Sequence, residues 1–328
     1  MRLLTRSDIQ QSLSMPEAIE IVKQAFIELS VGTAESPLRT AIFQAKHDGL
    51  TLFMPGYLSQ ADALAVKIVS IHHQNSRIGL PRIHALVVVI DSRTGQPIAA
   101  MEGGYLTALR TGAASGAATD LLARADAEVA AIIGAGQQAR QQVLAVATVR
   151  PIKRFWVYAR RRETVELLID ELQSQISAEL LAADSPAQAV KDADVICAAT
   201  NSCVPVFDGN DLKSGAHING IGSYTHEMQE VDFTTMRRAS KIVVDQRQAA
   251  LAEAGDLIIA INSGEIQLEN VFAELGEIAA GLKPGRQRDD EITYFKSVGN
   301  AVQDVAVAQE VYQAALKKNL GNEFDLLS

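Results

Sequence analysis

Three cations stand where cations are uncommon. Arg39 opens the run Arg39-Thr-Ala-Ile-Phe43, Lys67 sits among β-branched neighbours in Leu64-Ala-Val-Lys-Ile-Val-Ser70, and Arg110 interrupts a stretch of small residues, Thr107-Ala-Leu-Arg-Thr-Gly-Ala-Ala-Ser115. Charged side chains are seldom buried unless paired. Any one of them alone reads as a snorkelling or surface cation, but three in one strand-rich region suit an anion site for a substrate carboxylate. His84 lies two residues from Arg82 on a strand, so both project from one face. His84 has the chemistry of a proton donor, although a strand histidine is as readily structural. Ser115, Ser223 and Cys197 have no base beside them in sequence, and neither a His-Glu-x-x-His run nor an acidic cluster occurs. Nucleophilic catalysis and a metal centre are therefore not expected.

A second chemistry is written in Val129-Ala-Ala-Ile-Ile-Gly-Ala-Gly-Gln-Gln-Ala139. A β-prone run leads into Gly134-Ala-Gly136, and a helical apolar pattern follows through Ala139, Val143 and Val146. Strand, glycine turn and helix suit a dinucleotide pyrophosphate. Gly134 permits the tight turn, Gly136 keeps Cβ away from the phosphates, and the helix N-terminus offers N–H donors. Such a motif is weak by itself, and gains weight because the glycines fall where strand becomes helix. The next strand ends Tyr158-Ala-Arg-Arg-Arg162, without the acid that holds a ribose 2′-hydroxyl. Arginines there fit a 2′-phosphate and favour NADPH over NADH. The other reading is a solvated cationic helix start. Thr200-Asn201 and Gly220-Ile-Gly-Ser223 follow further strands, where loops line the cofactor crevice of such a sheet.

These groups need scaffolding to position them. The chain has 328 residues, 48% hydrophobic and only 5% aromatic, with a net charge of −9. That suggests two domains of about 150 residues each with aliphatic cores. No basic stripe is present, so nucleic acid is not an expected partner. No run of about 18 apolar residues and no signal-peptide pattern is seen, and the two cysteines lack a metal-ligand spacing. A soluble cytoplasmic protein is the expectation.

Ser14-Met-Pro-Glu17 opens a helix running to Leu29, with Gly32 beyond it. Strands are expected at 39–43 and 51–54, broken by Pro55-Gly56, and then at 64–70, 84–90 and 97–101. The first hundred residues thus read as a largely antiparallel layer. From residue 129 strands alternate with helices (129–133, 154–158, 194–199, 217–221, 241–245), which implies parallel βαβ crossovers. A long helix follows Ser297.

The whole chain resembles the ornithine cyclodeaminase/mu-crystallin family. The resemblance rests on Leu80-Pro81…Asp91-x-x-Thr94-Gly95-x-Pro97, Leu106-Thr-Ala-Leu-Arg-Thr-Gly-Ala-Ala-Ser115 and Gly134-Ala-Gly-Gln-Gln-Ala139. It continues through Gly215-Ala-His-Ile-Asn219, Gly222-Ser-Tyr-Thr225 and Ser297-Val-Gly-Asn-Ala-Val-Gln-Asp304. It implies an α/β fold in which a Rossmann-type doubly wound parallel sheet (118–299) is inserted into an α+β substrate-binding and dimerisation domain (1–117 with 300–328). It implies a homodimer, and a carboxylate gripped by Arg39, Lys67 and Arg110. With Ser223, His84 and Met54, these make up the expected catalytic and substrate-binding set. The expected cofactor set is Gly134, Gly136, Gln137, Gln138, Ala159, Arg160, Arg161, Thr200, Ile221, Val298 and Gly299.

Departures from the family pattern bear on the reaction. The cyclodeaminases carry an aspartate where this chain has Ser223, and a glutamate where it has Leu52, two residues before Met54-Pro55. Without these acids little remains to handle a second amine. The pattern Gly-Ser-Tyr-Thr-x-x-Met-x-Glu-Val-Asp over 222–232 resembles the family's ketimine reductases, with His226 in place of a proline. The expected activity is therefore NADPH- or NADH-dependent reduction of a cyclic 2-carboxy imine, giving L-proline or L-pipecolate. Ornithine cyclodeamination, a mu-crystallin-like NADPH-binding role and alanine-type dehydrogenation are the alternatives.

Overall fold

The computed structural model describes residues 1–325. The chain gathers into two units, Met1–Arg110 together with the chain from Asn300, and Thr111–Gly299. The division falls at Arg110, inside a helix, where the sequence placed it after residue 117.

The first unit begins with β1 (Arg2–Leu4), α1 (Arg6–Ser12) and α2 (Met15–Ser30). Ser14 and Glu17 close a capping box on α2, and Pro16 occupies its first turn, where its missing N–H costs nothing. Strands β2 (Ala34–Glu35), β3 (Thr40–Gln44), β4 (Gly49–Leu58), β5 (Ala63–His72), β6 (Ile83–Ile90) and β7 (Pro97–Glu102) then build an antiparallel meander. β1 joins it parallel to β7, and the short strand Asn322–Glu323 borders β1.

Pro55 does not break β4, which runs on to Leu58. β3 pairs with β4 only as far as Phe53, and β2 resumes at Tyr57, so Pro55 lies opposite a gap where no N–H is required. Burial alternates along the strands, with Ala65, Lys67, Val87 and Val89 on one face. That face is covered by the C-terminal helix Ala301–Lys318, which lies against β4 and β5 and against α2. A Cβ at Gly56 would stand 3.0 Å from Ala301 Cβ and 3.1 Å from Val305 Cγ2, so the helix seats directly on β4.

Helix α3 (Gly103–Leu122) carries the junction at Arg110. Its alanines at 113, 114, 117 and 118 are fully buried, which explains the run of small residues.

The second unit is one parallel sheet. In order of sequence it contains β8 (Val129–Ile133), β9 (Arg154–Tyr158), β10 (Glu179–Ala182), β11 (Val195–Ala198), β12 (His217–Gly220), β13 (Lys241–Val244), β14 (Val271–Glu274) and β15 (Thr293–Lys296). Across the sheet the order is β10-β9-β8-β11-β12-β15-β13-β14. Helices α4 (Gln137–Val149), α5 (Arg162–Leu172) and α6 (Pro186–Val190) serve the first crossovers. Strand order reverses between β8 and β11, which is the topological switch point of a doubly wound sheet. Among the described residues no helix is long and apolar enough to cross a membrane.

Candidate active site

In the first unit the site is built around Asp304, one turn into the C-terminal helix. Its Oδ2 lies 2.6 Å from Lys67 Nζ on β5, and its Oδ1 accepts a hydrogen bond of 3.0 Å from Arg110 Nε on α3. Arg110 Nη1 also donates to Gln303 Oε1 at 2.5 Å. All four side chains are buried. Two buried cations therefore share one carboxylate, which leaves an excess of positive charge in a desolvated place. Burial lowers the Lys67 ammonium to about 7, against the pull of Asp304 and helped by the charges of Arg110 and Arg39. The charge of Arg39, which directly precedes β3, is thus felt at Lys67.

Met54 is the direct cross-strand partner of Lys67, so it shares the inward face, and Leu52 lies two residues along that face. His84 pairs with Ser70, three residues from Lys67, which puts it on the opposite face of the sheet. It is exposed, and the structure does not bring it to the cation cluster. Its neighbour Arg82 instead approaches His73 Nδ1 at 2.6 Å.

Two amides beside the cluster carry side-chain atoms without a hydrogen-bond partner among the described residues. The buried Asn300 has neither Nδ2 nor Oδ1 hydrogen-bonded, and Gln303 Nε2 is likewise unsatisfied. Buried polar groups are rarely left so, and a polar ligand held by the cations would supply acceptors and donors. Asn300, Gln303 and Asp304 went unrecognised as site residues in the sequence. The available signal was an adjacent amide and acid, Gln303-Asp304, inside the apolar run Ala301-Val-x-x-Val-Ala-Val-Ala308.

In the second unit, the strands are parallel, so the loops that follow them share one edge. The residues expected to hold the cofactor fall on that edge: Gly134 and Gly136 after β8, Ala159–Arg161 after β9, Thr200 after β11, Ile221 after β12, and Val298 and Gly299 after β15. Gly134 has φ +118°, and a Cβ there would come 2.5 Å from the Ala199 carbonyl oxygen, so no side chain fits. Helix α4 begins at Gln137 and Gln138 with no side-chain cap from Gly136, which leaves its first N–H groups available to a pyrophosphate. Arg140 fixes the turn from behind, donating to the carbonyls of Ala135 (2.9 Å) and Gly136 (3.1 Å). Asp245 ties down the last loop through Ser297 Oγ, Val298 N and Gly299 N at 2.7, 3.1 and 2.8 Å.

Arg162 pairs with Glu166 and Asp184. The side chains of Arg160 and Arg161 are exposed and engage nothing else among the described residues. No acid stands in the Ala159–Arg162 turn. Ser223 is fully buried, its hydroxyl donating to the Met228 carbonyl at 2.8 Å and accepting from Asp256 N at 3.3 Å. Its proton is already committed, so the hydroxyl acts as a fastening of the loop in this arrangement. Cys197 is buried and its thiol is pushed up to about 12, which removes it as a nucleophile. Among the described residues no group of His, Cys, Asp and Glu could hold a metal.

The ornithine cyclodeaminase/mu-crystallin family matches residues 1–319. The Delta(1)-pyrroline-2-carboxylate reductase of Bacillus cereus is 38% identical over 325 residues, covering 99% of this chain and all of that protein. Among solved structures, the Thermococcus litoralis Delta(1)-pyrroline-2-carboxylate reductase in complex with NADH and L-proline superposes with a TM-score of 0.95 at 43% identity, covering 99% of this chain and 100% of that one. An archaeal alanine dehydrogenase dimer with bound NAD gives a TM-score of 0.93 at 35% identity, over 100% and 99% of the two chains. The chain is a member of the ornithine cyclodeaminase/mu-crystallin family.

Proposed function

We propose that this protein is a nicotinamide-dependent reductase of cyclic 2-carboxy imines, with Δ1-pyrroline-2-carboxylate, reduced to L-proline, as its substrate class. The observation that carries the reading is the sharing of one buried carboxylate by Lys67 and Arg110. An anionic substrate neutralises the remaining charge, and a carboxylate next to a C=N bond satisfies that demand while fixing the reactive carbon. Arg39 adds to the same field. A bound nicotinamide supplies the hydride, and the chain supplies position and charge. One relative solved with NADH and L-proline, and a second named for this reduction, support the substrate class. Against cyclodeamination, the strand positions beside Lys67 on the inward face are Leu52 and Met54, and neither offers a carboxylate to a second amine.

The cofactor assignment is NADPH in preference to NADH, from the two disengaged arginines at 160 and 161. We also assign a homodimer, assembled through the outer face of the first unit's sheet. There Phe53, Ile68 and Leu86 stand in register, and Ile42 lies beside them 51% exposed. The archaeal alanine dehydrogenase relative is a dimer. The free cysteines at 197 and 203 fit a reducing compartment such as the cytoplasm.

Mixing the protein with Δ1-pyrroline-2-carboxylate and NADPH, then NADH, should consume the reduced-nicotinamide absorbance. Ammonia release from ornithine with catalytic NAD+, and no imine reduction, would overturn the proposal. Lys67→Ala and Arg110→Ala each leave Asp304 one cation, so both variants should fold. Losing one charged hydrogen bond worth about 1.5–3 kcal/mol predicts a fall in kcat/KM of about 10- to 150-fold. NADPH affinity should stay within about twofold, and an equal loss of cofactor binding would show the cations misassigned.

The Lys67 ammonium exists below about 7 and is lost as pH rises through that value. The imine kcat/KM should therefore fall above about pH 7, with the fall in kcat displaced to higher pH because bound carboxylate holds the proton. Lys67→Arg keeps its charge throughout and should move the alkaline limb up by more than about one unit. Identical profiles for the two proteins would contradict this, since ionisation of the imine itself is common to both. For the cofactor, Arg160→Ala with Arg161→Ala should raise the NADPH Kd about tenfold or more and leave NADH within about twofold. Equal effects on both would refute a 2′-phosphate role.

A further inference from the structure

One buried side chain on the cofactor edge of the second unit accepts four hydrogen bonds from two of its loops. Glu230 is fully buried. Its Oε1 accepts from Thr200 N at 2.6 Å and Thr200 Oγ1 at 2.7 Å, and its Oε2 accepts from Gly222 N at 2.6 Å and Ser223 N at 3.1 Å. Thr200 ends the loop entry after β11, and Gly222–Ser223 follow β12, the neighbouring strand. One carboxylate thus straps together two adjacent loops at the edge where the cofactor residues gather. The loops also touch directly: a Cβ on Gly222 would lie 2.6 Å from Thr200 N and would run into the Thr200 carbonyl oxygen.

Glu230 is itself held. Its backbone N–H and that of Val231 donate to Asp256 Oδ1 at 2.6 and 3.1 Å. Asp256 Oδ2 accepts from the fully buried Lys296 Nζ at 2.9 Å and from Tyr294 OH at 3.3 Å. Burial raises the Glu230 carboxyl pKa, and the Lys296 ammonium opposes that rise. A network in which every member has a partner is rigid, because any rotation of the carboxylate breaks at least one charge-assisted bond.

The geometry points to Glu230 as a positioning residue for the nicotinamide half of the cofactor: it holds Thr200 and Gly222–Ser223 in one fixed arrangement, while the glycine turn after β8 receives the pyrophosphate independently. The inference rests on the family's cofactor class, and not on the identity of the imine. It separates two parts of one binding edge. Among the described residues the Gly134–Gly136 turn and α4 share no hydrogen bond with Glu230, so the adenosine diphosphate end should not feel its loss.

The substitution Glu230→Gln keeps shape but turns one acceptor into a donor. That donor must face either the Thr200 pair or the Gly222–Ser223 amides, so one strap opens. A displacement of about 1 Å at a reacting centre costs about 100-fold in rate. Calorimetric titration of the purified protein with NADH and with ADP-ribose, which lacks the nicotinamide ring alone, isolates the binding contribution of that ring and needs no turnover. Neither ligand carries a 2′-phosphate, so the arginines at 160 and 161 do not enter. For Glu230→Gln, the NADH Kd is expected to rise about tenfold, with the ADP-ribose Kd unchanged within about twofold and kcat down about 100-fold.

Equal weakening of both ligands, or no change in either with kcat within about threefold, would overturn the role. Should Glu230→Gln not fold, Thr200→Val removes a single hydroxyl donor and should move the NADH-to-ADP-ribose ratio in the same direction by a smaller factor; an unmoved ratio overturns the role equally. If the wild-type protein reduces no pyrroline imine, the binding ratio still tests Glu230, which keeps the two failures distinct.

Discussion

The structure of the first unit depends on one buried carboxylate. Asp304 uses both oxygens, one for Lys67 and one for Arg110, and thereby ties a central strand, a long helix and the C-terminal helix to a single point. Buried ion pairs are not an efficient source of stability, because desolvation consumes much of the Coulombic gain. Their placement here makes sense as preparation of a field. Two cations on one acid are rigid, dry and incompletely neutralised, which is the condition for binding an anion strongly and in one orientation. The C-terminal segment belongs to the first unit for the same reason: without the helix from Ala301, neither cation would have its partner.

The second unit solves a related problem with the opposite sign of emphasis. It must hold several loop backbones still at one sheet edge, and it does so with buried acids that accept from backbone N–H groups. Asp245 fixes the 297–299 loop and Glu230 the loops at 200 and 222–223, while Asp256 fixes Glu230 and is balanced by Lys296. Carboxylates suit this work because one group accepts several donors, and loops have donors to satisfy. The unit's buried charge is therefore invested in backbone geometry, whereas that of the first unit, on the proposed function, is directed at a ligand.

How much of this was legible beforehand follows from range. Contiguous patterns were readable: the helix from Met15, the strands of the meander and the glycine turn between β8 and α4 all announce themselves within a few residues. The three cations were visible because each stands against its immediate neighbours. Asp304 was not: it falls on the stripe of Ala301, Val305 and Ala308, and a lone acid there does not announce cation partners that are distant in sequence. In the fold Gln303 and Asp304 are both fully buried. Glu230 was hidden more deeply, because its four donors belong to two loops that meet only in the fold and its own segment has no periodicity. The four-residue strands β10, β14 and β15 are too short for an alternation to show, and no local pattern reveals that β15 lies between β12 and β13. Pro55 misled in the other direction: a local rule against proline in strands gave way to a gap in the neighbouring strands.

The central claim is that the Lys67–Asp304–Arg110 cluster exists to receive a carboxylate, and its most direct test compares ligands differing in that group alone. Titrating the NADPH-loaded protein with L-proline and with L-prolinamide, and following binding by calorimetry, isolates the carboxylate from the ring. Two charged contacts of about 1.5–3 kcal/mol each predict that the amide binds at least about 100-fold more weakly. Equal affinity for the two would contradict the account.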